Sequence, residues 1–399
     1  IMMLRTPPAP VFGLLSAFAL AALSGCAATE ASGPALMSAA GERPARLTLV
    51  ASSREHQWTG LAVSATGRLF VNYPRWSAPH ALSVAELVPG ANAGLLEPRA
   101  FPDESWNRAD FRADPANTFV CVQSVVADDR GNLWILDPAS PGFAGVVPGG
   151  AKLVRVELST GRVARVYRFD AQAAPEKSYL NDVRVEPDGR FAYITDSGLG
   201  ALLVLNLETG QVERLLEDHV STKAEPIVLT IGGRELRLPD GTAPAIHSDG
   251  LALDAERGWL YYAPLTARTL YRIPTAALRD PSVRGDALAS RVERLWPSVA
   301  TDGLEVDGAG NVYLSALEED AVYIRTPAGE LKPLAKDPRI AWPDSFAFRP
   351  GTGRGTLHAP GARDGRVIWF TTAQIHRTPP FAPAMPAEPF GVWSMPIGE

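Results

Sequence analysis

One short pattern is repeated six times along this chain of 399 residues. It starts at Thr59 as TGLAVSATGRLFVNYP, at Gln123 as QSVVADDRGNLWILDP and at Asn181 as NDVRVEPDGRFAYITDS. It returns at Asp249 as DGLALDAERGWLYYAP, at Asp302 as DGLEVDGAGNVYLSAL and, degraded, at Asp344 as DSFAFRPGTGRGTLHAP. Each copy opens on a polar residue, alternates apolar side chains, turns, and runs into a second apolar strand. Period-two alternation on both sides of a turn is the mark of a β-hairpin. Repetition at intervals of 42 to 68 residues is the mark of a closed array of such units.

A second hairpin follows most copies, in KLVRVELSTGRVARVYRF (152–169), ALLVLNLETGQVERLLE (201–217) and AVYIRTPAGELKPLA (321–335). Two hairpins per copy make four strands, and six such units predict an all-β fold: a six-bladed β-propeller with four-stranded blades. The segment ARLTLVASS (45–53), ahead of the first copy, is expected to supply the outer strand of the last blade. No long amphipathic helical pattern follows residue 27. Two insertions interrupt the array. Residues 74–118 are rich in Pro, Ala and Trp, and residues 219–247 hold a further hairpin around Gly232-Gly233.

Apolar residues make up 46% of the chain, enough for a full core, and a net charge of −6 gives no basic footprint for nucleic acid. Residues 11–23, VFGLLSAFALAAL, are too short to span a bilayer and suit the apolar core of an export leader. They run into LSGC, which resembles the lipobox of bacterial lipoproteins and makes Cys26 the expected lipid acceptor. The expected organisation is a leader over 1–25, a flexible tether over 26–44, and the propeller over 45–399 with a Pro-rich C-terminal tail. The protein would be exported, held in the bacterial envelope through that lipid alone or secreted. It would be a monomer. With Cys26 lipidated, Cys121 has no partner for an intramolecular disulfide.

In a propeller the first strand of each blade is innermost, so the opening residues Thr59, Gln123, Asn181, Asp249, Asp302 and Asp344 face the central channel. Three carboxylates, two amides and a hydroxyl in one narrow space raise one another's pKa unless a positive group joins them. Ca²⁺ or another divalent metal takes such oxygens, and an organic amine fills the same role. The competing account is local: Asp before Gly at a strand entrance bonds its own backbone as an Asx-turn. The glycines of GTGRGT (351–356) lack the strand-then-helix setting of a dinucleotide loop. The six histidines show no ligand spacing. His247 lies nearest the channel in this reading, although a surface or core role suits it better. Trp342 and the aromatics of NYPRWS (72–77) are placed to line the channel mouth or to pack between blades.

Read together, QWTGLAVSATGRLFVNYPRW, CVQSVVADDRGNLWILDP, YLNDVRVEPDGRFAYITDSGLGALLVLNLETG, HSDGLALDAERGWLYYAPL and WPDSFAF resemble the major royal jelly protein/yellow family over residues 45–375. Members of that family bind biogenic amines in the channel or convert dopachrome, and bacterial relatives are described as dopachrome-tautomerase-related. The resemblance implies a small aromatic or amine ligand. In an isomerase, Asp249 or Asp302 would move a proton while the amides orient the substrate. The wider gluconolactonase-like superfamily implies an alternative, a metal-dependent lactone hydrolase. Asn181 and Asp249 match two of its metal positions and Gln123 stands where some relatives have Asn, while Thr59 replaces the first-blade Glu. A non-catalytic envelope ligand-binding protein is the third reading.

Overall fold

In this computed structural model, which describes residues 46–77, 80, 82–90, 94–348, 366–381 and 388–397, the six repeats become six antiparallel sheets of four strands. The expected leader, Cys26, the expected tether and the glycine run 351–356 lie outside the described residues. Blade one runs from Leu61–Val63 to Leu96–Ala100, blade two from Ser124–Ala127 to Arg162–Arg168, and blade three from Leu180–Val185 to Val212–Leu215. Blade four runs from Ser248–Asp254 to Glu293–Leu295 and blade five from Leu304–Val306 to Leu331–Lys336. The outer hairpins form where the sequence places them. Their turns bend at Gly161, Gly210 and Gly329, which hold φ of 68°, 81° and 90°, the left-handed region that glycine adopts without cost.

Blade six closes the ring. Its first three strands, Pro343–Ala347, Arg366–Thr372 and Phe390–Ile397, accept Thr48–Ser53 as the fourth. The pairing is antiparallel, from Thr48 opposite Ser394 to Ser53 opposite Phe390. Both faces of each blade meet a neighbour, which explains why second strands such as LWILD, FAYITD and WLYYAP are apolar nearly throughout. The core is therefore divided among the interfaces. Trp134 and Leu153 of blade two pack with Ile194 and Leu203 of blade three, and Tyr193 and Leu202 of blade three pack with Tyr262 and Ile273 of blade four. Ala51 of the closing strand joins Leu61 and Val71 of blade one in the same way.

Near the axis the blades are stitched by short hydroxyl side chains of the first and second strands. Ser124 Oγ donates to Asp182 Oδ1 across one interface at 2.8 Å. Thr195 Oγ1 donates to the Asp249 carbonyl at 2.6 Å, and Thr371 Oγ1 donates to the Thr59 carbonyl at 2.6 Å. Where no side chain reaches across, glycine lets the backbones approach. A Cβ at Gly250 would collide with the Asp302 carbonyl oxygen, and one at Gly303 with that of Asp344. The Gly of each Asp-Gly pair is thus required by blade packing.

Two buried carboxylates then fix the loops that deliver the ring residues. Asp137 accepts Val120 N and Cys121 N ahead of Gln123, and pairs with the fully buried Lys152 at 2.9 Å. Asp196 accepts Tyr179 N ahead of Asn181 and pairs with Arg214 at 2.9 Å. Breaking such a pair strands an uncompensated charge, so both are positional commitments of the fold.

The Gly250→Ala variant is expected to lose about 1–3 kcal/mol of stability, because the neighbouring blade must move to admit a methyl group. Its denaturant midpoint measures this; a midpoint equal to wild type contradicts the close-approach account.

Candidate functional site

At the end of the axis where the first strands begin lies a cavity of about 400 Å³. Five of the six ring residues line it: Gln123, Asn181, Asp249, Asp302 and Asp344. Thr59, expected with them, is not among the lining residues. Its hydroxyl accepts Asn72 Nδ2 at 2.8 Å and donates to the Gln123 carbonyl at 2.9 Å, which makes it a stitch between blades one and two. His247 also stays off the cavity, accepting the Ala224 amide on Nδ1, while burial lowers its pKa.

The polar floor is connected. Trp76 Nε1 donates to Tyr179 Oη at 2.7 Å, and Tyr179 Oη donates to Gln123 Oε1 at 2.9 Å. Gln123 Nε2 lies 3.5 Å from Asn181 Oδ1, and Asn181 Nδ2 donates to Asp249 Oδ2 at 3.0 Å. From the other side Trp342 Nε1 donates to Asp302 Oδ2 at 2.7 Å. Asp249 and Asp302 share a side-chain hydrogen bond. The carboxylates of Asp249 and Asp302 are therefore engaged with other side chains across the channel, which is not the Asx-turn arrangement.

Asp344 differs. Its Oδ1 accepts the Ser345 hydroxyl at 3.1 Å, and its buried Oδ2 has no partner. Burial pushes Asp249 and Asp344 well above the usual carboxylate range, and the charge of Asp302 adds to it in both. Burial likewise raises Asp302 to about 7, against the hydrogen bonds from Trp342 and Asp249. Among the described residues no lysine, arginine or histidine lines the cavity. Further along the axis a recess of about 40 Å³ holds Asp182, Glu305 and the buried Arg184, which donates to Asp182 Oδ1 and the Leu304 carbonyl, both at 2.8 Å. Arg184 is the sole cationic residue lining either space among the described residues.

The walls are apolar. Trp76, Phe143 and Tyr179 form one side, with ring centroids 5.2 Å and 5.1 Å from Phe143 to its two neighbours. Pro244 and Ile246 of the second insertion, Leu265, Ile375 and Phe381 complete the enclosure. That insertion is part of the core: Leu229, Ile231 and Leu236 pack into one cluster with Trp342 and Ala373. Trp342 is fully buried with φ of 52°, a strained conformation for a bulky residue, and stacks on His376 at 5.7 Å and 9°. Strain of this kind, held beside a buried carboxylate, is characteristic of functional sites.

The side chains do not fit a metal centre as they stand. Asn181 turns its Nδ2 donor toward Asp249, and Asp249 and Asp302 bond each other. Among the described residues no group of three or more His, Cys, Asp or Glu is placed to hold a metal ion.

The profile of the major royal jelly protein family matches residues 120–353, more than half of the sequence. The chain belongs to this family. Similar members include protein yellow of Drosophila madeirensis, 22% identical over 267 residues covering 64% of this chain and 46% of that protein. Major royal jelly protein 5 of Apis mellifera is 25% identical over 232 residues, covering 55% of this chain and 35% of that protein. The chain thus spans less than half the length of these curated family members. Among solved structures, a gluconolactonase from Xanthomonas campestris superposes with a TM-score of 0.51 at 14% identity, covering 89% of this chain and 90% of that one. At this identity the likeness concerns the propeller fold alone.

The carboxyl groups of Asp302 and Asp344 bind protons more tightly in the folded state than an exposed aspartate does. Their stabilising contribution is therefore complete at acid pH and is lost as pH climbs toward and past 7. Ligand-free wild type is expected to lose stability between pH 5 and pH 8, and Asp344→Asn to flatten that decline. Parallel pH profiles of the two proteins would refute this if the slopes coincide.

Proposed function

We propose that this protein binds a small organic ammonium compound with an apolar or aromatic body in its axial cavity. One observation carries the reading: an apolar, aromatic-walled chamber has a floor of three buried carboxyl groups and, among the described residues, no cationic residue lining it. A ligand ammonium supplies the missing positive charge, and its hydrocarbon body covers the aromatic wall, where cation–π attraction adds to burial. An anionic ligand finds no cationic partner among the described lining residues. The family's curated members share the fold region, and the ammonium reading rests on the charge and shape of this cavity.

The Asp249–Asp302 pair also provides chemistry. A carboxyl group titrating near 7 is matched to general acid–base work at neutral pH. Isomerisation of a bound compound would draw on Asp302 as the proton acceptor and Asp249 as the donor, with Asn181 holding Asp249 in place. The leader-like run 11–23 ahead of Cys26 supports a place outside the cytoplasm with a lipid on that thiol. Cys26→Ser is expected to abolish incorporation of a labelled fatty acid; undiminished labelling would remove the anchor from this reading.

Binding to the folded state alone stabilises it by roughly 2.7 kcal/mol at a hundredfold excess over the dissociation constant. Chelator-treated protein is expected to gain several degrees in melting temperature with 2-phenylethylamine and none with 3-phenylpropionate. A gain with Ca²⁺ and none with amines would favour the metal alternative. No response to any amine in a panel would end the ammonium reading.

A further inference from the structure

We infer that Asp344 is the residue that receives the ligand's ammonium hydrogen, so the site admits amines that carry an N–H and discriminates against quaternary ammonium compounds. This rests on the ammonium reading above and adds to it a specific acceptor and a selectivity.

The argument is a count of hydrogen bonds. Asp249 is engaged twice, by Asn181 Nδ2 and by Asp302. Asp302 is engaged twice, by Trp342 Nε1 and by Asp249. Asp344 receives one bond, from its own neighbour Ser345, and keeps a second oxygen without a partner although the residue is only 6% exposed. Backbone constraints hold it there. The Asp344 carbonyl lies against Gly303, and the Ser345 amide donates to Thr371 Oγ1 at 3.2 Å, so the residue has little freedom to seek another donor. Within the cavity lining, the remaining side-chain donors are directed elsewhere: Trp76 to Tyr179, Tyr179 to Gln123, Gln123 to Asn181, Asn181 to Asp249 and Ser197, Ser197 to the Tyr179 carbonyl, and Trp342 to Asp302.

A buried acceptor left unmade costs far more than an average hydrogen bond contributes. Primary, secondary and tertiary ammonium ions each bring at least one N–H and can satisfy Asp344. A trimethylammonium group brings charge and cation–π attraction but no donor, so it leaves that oxygen orphaned and crowds it with methyl groups. Selectivity thus comes from an unmet acceptor rather than from charge, which the two ligand types share.

Calorimetric titration of the full chain with 2-phenylethylamine and its N-methyl, N,N-dimethyl and N,N,N-trimethyl derivatives tests this. The first three are expected to bind within a fewfold of one another, and the quaternary compound about tenfold to hundredfold more weakly. Asp344→Asn, nearly isosteric, is expected to compress that preference to less than about threefold, while Asp249→Asn retains it. Equal binding of the quaternary compound by wild type overturns the inference and leaves the ammonium reading intact. So does a preference that survives in Asp344→Asn. Failure of all four compounds to bind ends both. If Asp344→Asn does not fold, the wild-type series still decides.

Discussion

Six sheets can share an axis only if their first strands approach one another more closely than ordinary side chains permit. This crowding governs the rest of the molecule. It requires glycine at 250 and 303, short hydroxyl side chains at 124 and 345, and a threonine at 59 that spends its hydroxyl on the next blade. It also removes water from the residues just ahead of those positions. The carboxyl groups of Asp249, Asp302 and Asp344 are therefore buried by the same packing that holds the blades together.

Burial without a counter-charge is what makes the cavity chemically distinctive. Arg184, the cation nearest this acidic axis among the lining residues, is committed to Asp182 and to the Leu304 carbonyl. The upper group is left to share protons, to accept donors from Asn181 and Trp342, or to meet a cation that enters from outside. Interactions in such a dry setting are strong in both directions, since an unmet group is costly and a satisfied one is rigid. The strained backbone of Trp342 is tolerated because its indole is held at both ends, by Asp302 and by the stacked His376.

Much of this was legible in the sequence. Period-two alternation and glycine turns announce four strands per repeat, and the extra strand at 45–53 announces the closure. Placing a polar residue at the head of each first strand puts Gln123, Asn181, Asp249, Asp302 and Asp344 on the cavity. Thr59 fails because Asn72, at the end of its partner strand, captures its hydroxyl, a contact with no signal in the repeat. Tyr179, Phe143, Ile246 and Phe381 were missed because loop conformation, rather than strand periodicity, brings them to the cavity. A topological signal does exist. Loops between second and third strands, and loops between blades, all emerge on the face where first strands begin, and every one of these residues lies on such a loop.

The closing strand has one more consequence. Because Thr48–Ser53 completes a sheet with Phe390–Ile397, one blade is assembled from segments more than three hundred residues apart, while the other five are each contiguous. Five blades can form as translation proceeds, but the sixth cannot be completed until Phe390–Ile397 has been made. The interface between the first and last blades must wait as well, leaving the apolar face around Leu61, Val71 and Ala85 uncovered until then. Chain order thus sets the order of burial, and the cavity, which draws on Trp342, Asp344 and Phe381, acquires its walls only after the first five blades.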